Sequence, residues 1–131
     1  MADQMTPEEI GRRALAAGLE WVPGMRDTAG RLVFGVSGSR AFAVVEMLPL
    51  LLENPPDLTD PGTAGHALAQ VRKRWGRPTL HLTALATKGV VIWEWDWAVG
   101  EMGLEPFTWG EFHTEAEALL AALEAPSASI D

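Results

Sequence analysis

Hydrophobic and polar positions along the chain change period several times, and each change marks an element. Thr6 to Gly18 opens with a capping box, Thr6 as cap, Pro7 at the first helical position and Glu9 three residues after the cap. Ile10, Ala14 and Ala17 fall on one face at helical spacing, and Gly18 ends the run. Gly18 to Gly24 reads as a short strand or extended segment, and Asp27-Thr-Ala-Gly30 as a turn. Arg31–Val36 and Arg40–Met47 are β-prone, and the Ser37-Gly38-Ser39 link between them predicts a hairpin. The stretch from Leu48 to Thr59 carries Pro49, Pro55 and Pro56 and reads as a connection.

Asp60-Pro61 then opens a second helix, with Ala64, Ala67, Leu68, Val71 and Trp75 as its apolar stripe. Gly76 and Pro78 stop it. The period drops to two over Thr79–Ala86 and Gly89–Val99, joined around Thr87-Lys-Gly89, and a further strand, Phe107–His113, follows the loop Gly100–Pro106. Thr114 and Glu117 form a second capping box. Ala116, Leu119, Leu120 and Leu123 line that last helix, Pro126 ends it, and residues 126–131 are expected to fray. The order is α, β-hairpin, α, β-meander, α. Short links between neighbouring strands predict one α+β domain over 1–131, with a mainly antiparallel sheet of about five strands and three helices packed on it.

Composition narrows the chemistry. The 131 residues are long enough to bury a core, and with 47% hydrophobic and 21% charged residues the chain is globular. It has no cysteine, which excludes disulfides, thiolate catalysis, zinc ribbons and iron–sulfur clusters and suits a reducing cytoplasm. The acidic start lacks the basic-then-apolar pattern of a signal peptide, and no apolar run approaches the roughly 20 residues of a membrane helix. The net charge of −8 is unevenly spread. Residues 1–88 hold ten basic and nine acidic side chains, net +1; residues 89–131 hold nine acidic and none basic, net −9.

The candidate chemistry lies mostly in that acidic third. Trp93, Trp95 and Trp97 alternate, so they share one strand face, either as an aromatic platform or as core under the helices. Glu94 and Asp96 take the other face, either as a carboxylate pair or as the wet side of the sheet. Thr79, His81 and Thr83 share a face on the preceding strand, and pairing with Glu94 and Asp96 would bring His81 to a carboxylate. Glu101, Met102, Leu104, Glu105, Trp109 and Glu111 complete a hairpin in which aromatic and apolar anchors are rimmed by one sign of charge. That composition fits recognition of a basic protein partner.

The segment Arg72-Lys73-Arg74-Trp75-Gly76-Arg77 has two readings. Arg72, Arg74 and Arg77, with His81, would hold an anionic ligand, or the cations would complement the helix dipole. His66, His81 and His113 have no metal-ligand spacing, and the Ser37/Ser39 turn is neither a nucleophile elbow nor a phosphate loop, so no catalytic residue, metal or cofactor is expected. The negative net charge argues against direct nucleic-acid binding.

Gly18-Leu-Glu-Trp-Val-Pro-Gly-Met25, Pro56-Asp-Leu-Thr-Asp-Pro61 with its Ala/Leu helix, and Thr114-Glu-Ala-Glu-Ala-Leu-Leu-Ala-Ala-Leu123 resemble segments of small uncharacterised phage and prophage proteins. The order of elements over residues 18–125 is similar to the phage α-β-α (ABA) sandwich domain family. The hairpin of that family is shorter than this one, which Ala98–Pro106 extends. The family has no established catalytic residues to carry over. The resemblance implies a non-enzymatic phage accessory protein engaging a basic surface of a host protein, such as a CRISPR nuclease, and so inhibiting host defence. The alternative is a binding protein or sponge for a small anionic or nucleotide-like ligand.

Overall fold

The computed structural model describes residues 5–76, 80–87, 90–97 and 107–125. These residues form an α+β structure with three helices and two three-stranded antiparallel sheets. The chain divides into two compact units, Met1–Ala67 and Leu68–Asp131. The expected single sheet of about five strands is therefore corrected. Among the described residues there are six strands, and hydrogen bonding links them three and three, each sheet pairing chain neighbours.

The first unit begins with α1 (Pro7–Ala16). The capping box is complete: Thr6 Oγ1 accepts from the Glu9 N–H at 3.1 Å, and Glu9 Oε1 accepts from the Thr6 N–H at 2.9 Å. Ile10 and Ala14 are buried as their spacing predicts, and Gly11 is buried beside them. A Cβ on Gly11 would lie 2.2 Å from the Pro56 carbonyl oxygen, so the helix and the proline-rich segment approach too closely for any side chain there.

The segment Arg31–Val33, expected as part of a long strand, instead pairs locally with Gly24–Asp27, while the Phe34 N–H donates to the Phe42 carbonyl at 2.8 Å. The Val33 N–H donates to the Met25 carbonyl at 2.8 Å, and the Gly24 N–H donates to the Val33 carbonyl at 3.0 Å. Asp27 holds this turn. Its Oδ1 accepts from the N–H groups of Ala29 at 3.0 Å and Arg31 at 2.8 Å, and its side chain is buried. Among the described residues its Oδ2 is buried without a hydrogen-bond partner.

The hairpin proper is β1 (Gly35–Ser37) and β2 (Arg40–Val45), with Gly38 at φ +63° in the first position of its two-residue turn. Leu48–Leu51, expected as part of a connection, is a third strand, β3, paired with β2 from Val45↔Leu48 to Phe42↔Leu51. Pro49 does not prevent this. The Leu52 N–H donates to the Ala41 carbonyl at 2.9 Å, which sets the parity of the pairing and turns the Pro49 nitrogen to the outer edge. No ladder bond is lost there, and an edge strand tolerates proline for that reason.

The helix α2 (Pro61–Trp75) is capped by Asp60, whose Oδ2 accepts from the Thr63 N–H at 2.9 Å and from the Thr63 hydroxyl at 3.0 Å. The buried Thr63 Oγ1 in turn accepts from the Arg26 N–H at 2.7 Å. Ala64 and Ala67 are core residues of the first unit.

In the second unit β4 (His81–Thr87), β5 (Val90–Trp97) and β6 (Phe107–Phe112) form the other sheet in the order β4-β5-β6. The helix α3 (Glu115–Glu124) contacts β5 and β6. Thr114 caps it, its Oγ1 accepting from the Glu117 N–H at 3.1 Å. The core here is large and aromatic. Trp95 is 0% exposed, and its indole N–H donates to the Ala118 carbonyl at 3.0 Å. Trp75 lies 6.3 Å from it between ring centroids, tilted by 32°, and donates its own indole N–H to the Ala122 carbonyl at 3.2 Å. Both indoles thus bury apolar area while keeping their one polar group bonded. Leu119, Leu120 and Leu123 are buried as predicted.

Candidate functional site

The sheet of the second unit brings several of the sequence-predicted site residues into register. His81 stands opposite Asp96 and Thr83 opposite Glu94, so the pairing that the alternation left open is the one that occurs. The β5–β6 register shifts between Trp93, opposite Phe112, and Trp95, opposite Trp109. Two residues, Gly110 and Glu111, therefore stand against Glu94 alone, a β-bulge. Glu94, Asp96 and Glu111 occupy neighbouring positions on adjacent strands, with Glu111 exposed and Glu94 half-buried.

Because Trp95 points into the core under α3, Glu94 and Asp96 occupy strand positions of the opposite face. The aromatic-platform reading is thereby settled for Trp95, which is core, while Trp93 is half-buried. Glu101, Met102, Leu104 and Glu105 lie outside the described residues, as does Arg77. Trp109 lies in β6 as expected.

The arginines of the alternative ligand site have structural partners. The Arg72 Nε donates to the Leu80 carbonyl at 2.6 Å, and an Arg74 guanidinium nitrogen donates to the Leu123 carbonyl at 2.7 Å. Both side chains are half-buried and tie the end of α2 to backbone beyond it within the second unit. His81 is exposed.

A second surface was missed by sequence reasoning. In the first unit the sheet turns large apolar side chains to solvent. Met47 is 92% exposed, Phe34 73% and Leu48 67%, and Leu32, Val44, Val45 and Leu51 are exposed with them. The strand β2 explains how. Its inward positions are Ala41 and Ala43, both buried, and its opposite face carries Phe42 and Val44. Small residues face in and large ones face out. The core then runs out before the tip, so Val45 and Leu48, although on the alanine side, are exposed.

The tip is conformationally costly as well as apolar. Glu46 and Met47 make the two-residue turn between β2 and β3 with φ of 51° and 67°. Turns with both central residues at positive φ favour Asn-Gly, so Glu-Met here holds a conformation that its side chains disfavour. Beside the tip is a shallow groove of about 250 Å³, lined by Arg31, Leu32, Phe34, Ala43, Val44 and Val45. The only sequence signal of this surface is that Phe42, Val44, Val45, Met47, Leu48, Leu50 and Leu51 outnumber what one sheet face can bury.

A separate cleft of about 610 Å³ is lined by Leu15, Leu19, Glu20, Trp21, Val36, Gly38 and Ser39. Among the described residues the charged side chain in its lining is the acid Glu20, which does not suit an anionic ligand. Among the described residues no group of three or more His, Cys, Asp or Glu side chains is placed to hold a metal, and no helix is long and apolar enough to cross a membrane. No family model, curated protein or solved structure matches the chain, so its surfaces alone carry the functional reading.

Proposed function

We propose that this chain is a non-enzymatic protein-binding module whose main docking surface is the exposed apolar sheet of the first unit. The carrying observation is that Phe34, Met47 and Leu48, each about two-thirds exposed or more, lie at or beside one small sheet, just before β1, in the β2–β3 turn and at the start of β3. Contiguous apolar surface on a soluble protein marks an association site, and single scattered residues do not. A strained turn that presents methionine at its tip adds to this, because strain persists where function or surrounding structure requires it. The test is a paired substitution, Phe34→Ser with Leu48→Ser. Protein association should be lost while the melting temperature stays near that of the parent. Binding that survives both substitutions refutes the reading.

A second surface is favoured by the register of β4, β5 and β6. Glu94, Asp96 and Glu111 gather on the second sheet, in the stretch of chain with net charge −9. This face would steer a basic protein surface by charge, and in a phage accessory protein the partner would be the nucleic-acid groove of a defence nuclease, with carboxylates placed where phosphates lie. Its association rate should fall steeply between low and physiological ionic strength. A rate indifferent to salt removes this second surface and leaves the first.

A further inference from the structure

We infer that the occupant of the apolar surface is a second copy of this chain, the β2–β3 tip of each protomer seating in the groove of the other. This rests on the docking-surface reading above and names what docks. Knob and socket are both present on one sheet. The knob is Glu46-Met47-Leu48, with Met47 almost fully exposed. The socket is the groove of about 250 Å³ lined by Arg31, Leu32, Phe34, Ala43, Val44 and Val45. A two-fold interface requires one patch to complement itself, so that residue i meets j while j meets i. A surface that carries both a knob and a socket meets that condition. Methionine, unbranched and polarizable, is the side chain best able to fill an irregular socket.

Charge gives the pairing its direction. Arg31 rims the socket and Glu46 stands on the knob. Among the described residues neither makes an ion pair, and both are exposed. Seating the knob of one copy in the socket of the other brings Glu46 to Arg31 twice, once on each side of the axis. Edge-to-edge strand addition is the competing way to join two such sheets. It is opposed by Pro49, which removes an N–H from the outer edge of β3, and by β1, which is only three residues long.

The experiment is sedimentation equilibrium of the full chain over a micromolar-to-millimolar series, at low salt. The parent should approach twice its mass of 14.2 kDa as concentration rises. Glu46→Asn with Met47→Gly removes the knob yet supplies the residues such a turn prefers, so it should remain monomeric with an equal or higher melting temperature. Arg31→Glu sets like charges together and should raise the dimer dissociation constant by about tenfold or more. Arg31→Glu combined with Glu46→Arg should recover most of that loss. A parent that stays at 14.2 kDa throughout overturns the inference. So does a charge-exchanged pair that fails to recover, or an Asn-Gly variant that dimerises like the parent. If the parent is monomeric but Phe34→Ser with Leu48→Ser still abolishes binding of another protein, the self-association inference falls and the docking surface stands.

Discussion

The two sheets of this chain have the same number of strands and the same antiparallel, neighbour-to-neighbour topology, yet they treat their large side chains in opposite ways. In the second unit β5 sends Trp95 inward beneath α3, where its ring packs against Trp75 and its N–H reaches the Ala118 carbonyl. In the first unit β2 sends Ala41 and Ala43 inward and leaves Phe42 and Val44 on the far side, with Phe34 and Met47 exposed nearby. A sheet face covered by a helix gains from bulk. Where the inward positions are alanines, as in β2, the bulk of the strand lies on its other face. The first unit builds its core on Met25, Val33 and Leu58 and holds its turns through Asp27, Asp60 and Thr63.

Substitutions can break this contrast. The largest effect is expected from Trp95→Ala, which empties the centre of the second core and removes an indole hydrogen bond. It should destabilise by about 3–5 kcal/mol, read as a shift in the denaturant midpoint. A variant that unfolds with the parent would mean that the second sheet is not built on its indoles.

Asp27→Ala comes next. It deletes the acceptor of two backbone N–H groups in a buried turn and should cost about 2–4 kcal/mol in the same measurement. Little or no loss would show that the first unit does not depend on its turn. The smallest effect is expected from Phe34→Ser. This removes an aromatic ring, as the first substitution does, but from a wet site, and should leave stability within about 0.5 kcal/mol. A loss comparable to that of Trp95→Ala would place Phe34 in a core and erase the distinction between the sheets.

The acidic face proposed above for recognition is partly legible in the amino-acid sequence. Strand alternation places Glu94 and Asp96 together and opposite the indoles, and the pairing of His81 and Thr83 with them follows from parity once the register is known. The contribution of Glu111 is not legible, because it depends on a bulge at Gly110, and one extra residue in a strand leaves no mark in a pattern of period two. The apolar surface is hidden for a related reason. Arg40-Ala-Phe-Ala-Val-Val45 is apolar at both parities, so alternation cannot say which face is inside.

What the sequence determined by itself were the local features, whose causes lie within a few residues. Thr6, Asp60 and Thr114 cap the three helices through their own side chains, Gly38 supplies the positive φ of the first hairpin, and the period-two runs mark β4 and β5. Tertiary structure decided the rest. Arg31–Val33 found partners in Gly24–Asp27 and left the long strand its composition suggests. Pro49 joined a strand because its nitrogen lies on an outer edge, which only the pairing partner defines. The six strands divided into two sheets, and the alanine side of β2 turned inward. These outcomes depend on which distant surfaces compete for burial, and the winner is set by the space that neighbouring segments leave.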